Sequence, residues 1–204
     1  LLPLGKLILT AFIATLIFVC ITYLPIIKLI GMKISDYLKG AFEPWLIAFT
    51  TCSSAAALAV NLEASRKMGA SKAIASFAIP LGNTINMNGT SIYMGVTAVF
   101  AAEVFGIDLT LAQQFQIVLM GVLAAVGTAG VPGAGLIMTT LVFTEVGIPL
   151  EAVALIAGID RILDMIRTSV NVLGDSLTAL VVSKSEGVLG TELMDQDTVV
   201  KEQL

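Results

Sequence analysis

Five polar residues near the end of the chain recur at the spacing of one helix face. They are Asp160, Asp164, Arg167, Asn171 and Asp175. At about 100° per residue, they lie within about 80° of one another. Each charged group costs about 2.5–3.5 kcal/mol at the centre of a bilayer on insertion scales, so this stripe in an apolar segment predicts a binding site. The alternative is a bridge between Asp164 and Arg167 that only holds helices together.

A glycine-rich loop is the second candidate for a binding site. Residues Gly127 to Gly135 include four glycines, which let a backbone approach a ligand closely and leave its N–H and C=O groups free. Pro132 removes one donor and stiffens the turn. The apolar segments on both sides favour a binding loop over an ordinary flexible turn.

Two shorter motifs carry further polar groups. Free amides at a helix start beside Ser53 and Ser54 would suit a carboxylate, although serines at such places more often act as helix caps. The run Asn86 to Thr90 interrupts an apolar segment. Carbonyl groups in an unwound stretch would suit sodium, since hard cations prefer oxygen ligands. The alternative there is a glycine kink whose amides are all satisfied.

The composition places these motifs in a membrane. Of the 204 residues, 57% are hydrophobic and only 13% are charged, whereas about a quarter of a soluble domain is charged. The mean hydropathy is +0.96. The net charge of −4 offers no basic surface for nucleic acid. The chain has no histidine, which excludes histidine metal sites and Ser-His or Cys-His catalysis, and Cys20 and Cys52 form no disulfide framework.

Apolar segments and their interruptions predict an all-α membrane protein with an inverted repeat. The predicted elements are a transmembrane helix (1–31), a re-entrant hairpin (34–69), a broken transmembrane helix (71–106), a second re-entrant hairpin (110–147), a final polar-striped transmembrane helix (149–182) and a cytoplasmic tail (183–204). Only the first contains an uninterrupted apolar run of the about 20 residues that a spanning helix needs. Irregular backbone at membrane depth must be buried in protein or line a cavity, and paired interrupted segments indicate a transporter site.

The charges of the loops predict the orientation. One side carries the basic residues Lys28, Lys33, Lys39, Arg66, Lys67, Lys72 and Lys184, and the other carries Glu103, Asp108, Glu145 and Glu151. The positive-inside rule puts the basic side and the C-terminus in the cytoplasm, for a multi-pass protein of the plasma (inner) membrane. Because the chain starts with Leu1 almost directly before an apolar span, we expect it to be the C-terminal part of a longer protein.

Together these motifs resemble the dicarboxylate/amino acid:cation symporter family, which includes glutamate and aspartate transporters, over residues 1–185. The resemblance rests on Ser53-Ser54, the run Pro80 to Thr90, the glycine loop and the stripe from Asp160 to Asp175. It implies sodium-coupled symport of acidic amino acids by an elevator mechanism, with no cofactor besides the coupling ions. The alternative is a proton- or sodium-coupled C4-dicarboxylate symporter. It also implies a homotrimer in the lipid bilayer, in which this chain is the transport domain and the missing N-terminal scaffold helices form the trimer contact.

The resemblance further implies roles for individual residues. The substrate-binding residues would be Cys52, Ser54, Thr90, Val131, Asp164, Arg167 and Asn171. Among them, Arg167 would bind the side-chain carboxylate of the substrate and Asp164 its ammonium group. One sodium ion would be held by Gly82, Asn86, Asn171 and Asp175. A second would be held by the carbonyl groups of Thr84, Ala125, Val126 and Thr128.

Four positions depart from the family pattern. Asn88 stands where the family usually has Asp, and Met94 stands where proton-coupled animal transporters have Glu; both bear on the number of coupled ions. Cys52 and Met165 occupy the two positions at which many relatives carry a second arginine, which bears on kinetics or affinity.

Two other classes of function compete with a symporter. Gly174-Asp175 resembles part of the motif of intramembrane aspartyl proteases, but Val172 breaks that motif. A channel or a structural membrane module is the other class. For a symporter, glutamate, aspartate and a C4-dicarboxylate are open as substrates, and Asp164 favours an amino acid because an ammonium group needs a carboxylate partner.

Overall fold

The computed structural model describes residues 2–192, and every regular element in that range is helical. The helices are α1 (Leu2–Phe18), α2 (Leu24–Leu29), α3 (Ile34–Gly40), α4 (Phe42–Thr51), α5 (Ser54–Lys67), α6 (Lys72–Ile85), α7 (Asn88–Val104), α8 (Leu111–Val126), α9 (Ala134–Val146), α10 (Glu151–Ala157) and α11 (Asp160–Ser185). The final part of the predicted tail lies outside the described residues.

The first two helices are continuous through a π-helical turn at Val19–Tyr23. Pro25 follows this turn and has no N–H to donate, and the N–H of Leu24 bonds to the carbonyl of Val19. The combined helix, Leu2–Leu29, is the one helix in the described range that is long and apolar enough to cross a membrane by length and composition. It lies within the range 1–31 that was predicted for the first transmembrane helix.

The broken helix differs in detail from its prediction. We expected the interruption to run from Asn86 to Thr90, but only Asn86 and Met87 leave the helical conformation, and α7 begins at Asn88. The amide of Gly89, in the first turn of α7, donates to Oδ1 of Asn171 at 2.8 Å. A side chain of α11 therefore satisfies one of the free N–H groups that every helix start presents.

The predicted final helix is divided in two. A single helix was expected over 149–182, but the chain turns at Gly158 and Ile159 between α10 and α11. Glycine weakens a helix interior, and the new helix starts on Asp160, whose carboxylate is favourable in a first helical turn. The side chain of Asp160 is also drawn inward, where it accepts a hydrogen bond from Tyr93 at 2.8 Å.

The polar stripe of α11 lies between two apolar clusters. The first contains Leu7, Met94, Phe143 and Leu163, and the second contains Tyr23, Ile27, Tyr37, Ile79, Val170 and Leu180. Helix α11 packs against α4, α5, α6 and α7, so its charged groups are surrounded by protein. A buried charge costs free energy unless it is paired and hydrogen-bonded, so neighbouring residues must supply partners for the charged groups of the stripe.

Helix α7 can approach α11 closely only because residue 89 is glycine. A Cβ atom added at Gly89 would overlap the backbone carbonyl of Arg167, whereas one added at Gly95, on the same helix, would meet nothing within 4 Å. We expect Gly89→Ala to lower the stability of the purified protein by about 1–3 kcal/mol, as overpacking does. Gly95→Ala should be neutral or slightly stabilising. Thermal unfolding of both variants tests this, and equal midpoints would contradict the close approach.

Candidate functional site

A small buried cavity lies where the tips of two helix pairs meet α11. One tip joins α4 to α5 and the other joins α8 to α9. The cavity is lined by Ser54, Met87, Thr90, Thr128, Ala129, Gly130, Val131, Gly135, Asp164, Arg167, Thr168 and Asn171. Its free volume is about 10 Å³, room for roughly one water molecule. Binding of anything larger requires one of the tips to move.

The guanidinium of Arg167 is the central cation of this site. Its side chain is only 4% exposed, and its Nε donates to Oδ1 of Asp164 at 3.0 Å. Its Nη1 lies 3.7 Å from Oδ1 of Asp160, and its Cζ lies 4.5 Å from the centre of the Tyr93 ring. Two carboxylates and an aromatic face thus compensate a buried charge, in keeping with the cost of leaving it alone.

The carboxylate of Asp164 is shared between α11 and the glycine loop. Besides Arg167, it accepts from Oγ1 of Thr168 at 2.7 Å, and its Oδ2 accepts from the backbone amide of Gly133 at 2.9 Å. Asp164 and Arg167 thus bind each other in the described structure, and a ligand that carries both charges could replace each partner.

The two tips contact each other at Gly130. Its carbonyl accepts from the hydroxyl of Ser53 at 2.8 Å and from the amide of Ala55 at 3.2 Å. Together with the bond from Gly133 to Asp164, these contacts close the cavity. Opening the glycine loop would therefore break three hydrogen bonds, all of which involve backbone atoms of that loop or of the facing tip.

Several polar groups at the cavity lack partners. Within residues 2–192, no hydrogen bond reaches the hydroxyl of Ser54 or Nη1 of Arg167, although both atoms are buried. Asn83 Oδ1, next to Gly130, is unpaired in the same way. Unsatisfied buried donors and acceptors are costly, and a carboxylate offered to Ser54 and Arg167 would satisfy both.

The predicted substrate residues come together with one exception. Six of the seven line the cavity: Ser54, Thr90, Val131, Asp164, Arg167 and Asn171. The amide of Asn171 donates to Oγ1 of Thr90 at 3.2 Å. Cys52 is not among the lining residues; its thiol points to the carbonyl of Arg161 at 3.7 Å instead.

The first predicted sodium site is a compact group of oxygen-bearing residues. Asp175 is 1% exposed, and its Oδ1 accepts from the Nδ2 of Asn86 at 2.9 Å. The same Nδ2 lies 3.4 Å from the carbonyl of Asn171, and Gly82 lies so close that a Cβ there would meet the Asp175 carboxylate. No cationic side chain in the described range forms an ion pair with Asp175. A buried, uncompensated carboxylate suits a cation with a preference for oxygen ligands.

The residues of the second predicted sodium site lie near the ends of two helices. Thr128 is buried and lines the cavity, and its N–H donates to the carbonyl of Ala125 at 3.0 Å. Val126 is 47% exposed, and Thr84 is exposed at the end of α6. Helices α6 and α8 are in contact, so the four residues lie on adjoining elements, and the carbonyl of Ala125 keeps a lone pair beyond the bond it accepts from Thr128.

Asn88 belongs to a neutral network beside the first sodium site. Its Nδ2 donates to the hydroxyl of Tyr23 at 3.1 Å and to Oδ1 of Asn86 at 2.7 Å. Asn86 in turn donates to Asp175. The amide hydrogens of Asn88 thus lie between the hydroxyl oxygen of Tyr23 and Oδ1 of Asn86, which would otherwise face each other.

Three residues of the site were given no role in the sequence analysis. Tyr93 supports Arg167 and Asp160, Thr168 binds Asp164, and the sulfur of Met87 lies 3.1 Å from Nδ2 of Asn171. Ser53, which the sequence places at a helix start, also links the two tips. A signal for Tyr93 was present, since Thr90, Tyr93 and Thr97 share one face of α7. Thr168 carries a similar signal, four residues after Asp164 on the same helix.

Known proteins with related sequences match most of this chain. A family model described as the sodium:dicarboxylate symporter family matches residues 1–185. The chain is 38% identical to the proton/sodium-glutamate symport protein of Geobacillus stearothermophilus, over 94% of this chain and 46% of that protein. It is 37% identical to the proton/glutamate-aspartate symporter of Escherichia coli (strain K12), over 90% and 42%. It is 38% identical to the C4-dicarboxylate transport protein of Bacillus subtilis (strain 168), over 90% and 44%. The chain spans less than half the length of these relatives.

Proposed function

The chain belongs to the sodium:dicarboxylate symporter family, and we propose that it forms the substrate- and sodium-binding part of a membrane symporter for glutamate or aspartate. The observation that carries this proposal is the buried pair of Arg167 and Asp164 in one cavity. An acidic amino acid has an extra carboxylate for the guanidinium and an ammonium group for the aspartate. Membership of a symporter family favours a transporter over an intramembrane protease.

The substrate would exchange the internal ion pair for two external ones. Arg167 would bind the side-chain carboxylate bidentately with help from Thr90, and Asp164 would bind the ammonium group together with the carbonyls of Cys52 and Val131. Ser54 and Asn171 would bind the α-carboxylate. The free volume of about 10 Å³ supports a loop that must open before substrate enters, and the loop at Gly127–Gly135 carries the contacts that would break.

A C4-dicarboxylate is the second candidate substrate, because one relative carries that name. Its two carboxylates would suit Arg167 and Ser54 but would leave Asp164 facing a like charge, which is unfavourable at low dielectric. We therefore place the amino acid first.

A binding panel tests the substrate and the coupling ion together. The full-length protein would be titrated with glutamate, aspartate, succinate and a neutral amino acid, each with and without sodium. We expect tight binding of one or both acidic amino acids only in sodium. Tightest binding of succinate would favour the dicarboxylate alternative, and binding of none of the acids would contradict the proposal.

We place the chain in its membrane as follows. The two helix pairs, α4 with α5 and α8 with α9, are proposed to be re-entrant hairpins from opposite faces, with the second as outer gate. The chain would be the moving domain of an elevator-type transporter in a homotrimer. It would move against the scaffold helices that the family resemblance implies. The C-terminus would be cytoplasmic, in a plasma (inner) membrane. Labelled-substrate counterflow would separate this carrier from a channel, since only a carrier exchanges one substrate for another.

We expect this protein to couple fewer sodium ions than relatives that carry Asp at the position of Asn88. In the resembled family an Asp at this position supplies charge to a deep sodium site. Here the amide instead donates to Tyr23 and Asn86. In Asn88→Asp, a carboxylate oxygen that only accepts replaces the amide donor. Oxygen atoms of residue 88, Tyr23 and Asn86 would then face one another, and a cation is needed between them. We expect a steeper sodium dependence of uptake and a shifted reversal potential. Identical values in Asn88→Asp and the parent protein would contradict this.

A further inference from the structure

Arg161 bridges the start of α11 and the tip between α4 and α5. Its Nη2 donates to the carbonyl of Thr50 at 2.8 Å, and its Nη1 reaches the carbonyl of Thr51 at 3.5 Å. The contact spans more than a hundred residues of sequence and lies outside the cavity, since Arg161 is absent from its lining. None of the roles proposed above uses this residue.

The carbonyls that Arg161 binds are those left over at the end of a helix. The last carbonyls of any helix lack intrahelical partners and carry a partial negative charge. Helix α4 ends at Thr51, and the following Cys52 takes the left-handed conformation with φ 55°. Both contacts are exposed in the described chain. In the proposed membrane placement, unsatisfied carbonyls would be costly, and the guanidinium supplies them with hydrogen bonds and a positive charge.

A second contact joins the tip to the start of α11. The thiol of Cys52 lies 3.7 Å from the carbonyl of Arg161, so the tip and the first turn of α11 contact each other through both residues. Thr51 also accepts from the amide of Ser53 through its side chain at 3.2 Å. Ser53 is the residue whose hydroxyl bonds to Gly130. A continuous set of contacts therefore runs from Arg161 to the loop that closes the cavity.

We propose that Arg161 is a positioning residue that holds the tip of α4 and α5 in the conformation that receives the glycine loop and the substrate. It acts through the carbonyls of Thr50 and Thr51 and makes no contact with the substrate. The expected change in substrate affinity rests on the proposed function. The expected change in the conformation of the tip does not.

Cys52 offers a reporter for the tip, because it is 1% exposed. In the full-length protein without substrate, the rate at which N-ethylmaleimide modifies Cys52 would be followed by peptide mass spectrometry. We expect Arg161→Met to raise this rate about tenfold, the size of effect produced by losing a charged hydrogen bond from a locally opening segment. Arg161→Lys, which keeps the charge but not the planar fork, should give an intermediate rate. Arg66→Met, in the last turn of α5, is the matched control and should leave the rate unchanged.

Affinity for the acidic substrate found in the binding panel should fall about fivefold in Arg161→Met, while the sodium dependence stays the same. A thermal unfolding midpoint close to that of the parent protein identifies a folded variant. If the methionine variant does not fold, the lysine variant carries the test. Unchanged rates of Cys52 modification in folded variants of Arg161 would overturn the proposal, whatever the substrate is. A raised Cys52 rate without any acidic substrate being bound would leave the positioning role standing and count against the proposed function alone.

Discussion

In the Arg167→Cys variant, we expect binding of glutamate and aspartate to fall by a factor of about 30 or more. Removing one member of a buried, hydrogen-bonded charge pair costs about 2–5 kcal/mol, and about 1.4 kcal/mol corresponds to a factor of ten. Arg167 is 4% exposed and is the only cationic side chain that lines the described cavity. An incoming carboxylate would therefore meet Asp164 and Asp160 without compensation.

The same variant should gain affinity for small neutral amino acids such as serine. Such a substrate keeps the ammonium group for Asp164 and needs no guanidinium. The measurement is equilibrium binding of aspartate, glutamate and serine by the full-length protein in sodium. Arg167→Lys is the conservative companion and should retain partial affinity, since an ammonium keeps the charge without the bidentate geometry. Unchanged aspartate and glutamate affinity in Arg167→Cys would refute the assignment of this residue.

The second large effect is expected for Asp175→Asn, which should remove most sodium binding at the first site. Asp175 is 1% exposed, its described contacts are a single amide donor from Asn86, and no ion pair reaches it within residues 2–192. A bound sodium ion would neutralise this carboxylate. Asparagine preserves the volume and one oxygen but removes the charge. By analogy with breaking a buried pair, at about 3–5 kcal/mol, apparent sodium affinity should fall about 100-fold or more.

Thermal stability supplies a readout that is independent of transport. Sodium stabilises the folded state in proportion to the logarithm of its concentration over the dissociation constant, so the parent protein should unfold at a higher temperature in sodium than in choline. Asp175→Asn should lose most of this difference and gain stability in choline, because a buried charge has been removed. Asp108→Asn, at an exposed loop carboxylate, is the control. A sodium-dependent shift of parental size in Asp175→Asn would contradict the site.

Much of the candidate site could be predicted because its members repeat at helical spacing or follow one another directly. The stripe from Asp160 to Asp175 lies on one face of α11. The glycine loop and the interruption at Asn86 also lie where the sequence marks them, although the interruption is shorter than expected. Such features depend on the period of the helix and on the local conformational preferences of glycine and proline, which neighbouring residues alone determine.

The apolar composition and the helical period are enough to predict the membrane class and the residues that would carry charge in the site. The partner that each of these groups takes is visible only in the folded structure. That structure joined Arg167 to Asp160 and Tyr93, brought Ser53 to Gly130, and set the guanidinium of Arg161 on the carbonyls of Thr50 and Thr51. The break of the last helix before Asp160 likewise appears only in the structure. The reason is physical: a helical period specifies which side chains share a face, but the partner across the interface depends on how distant segments pack, and that information is spread over the whole chain.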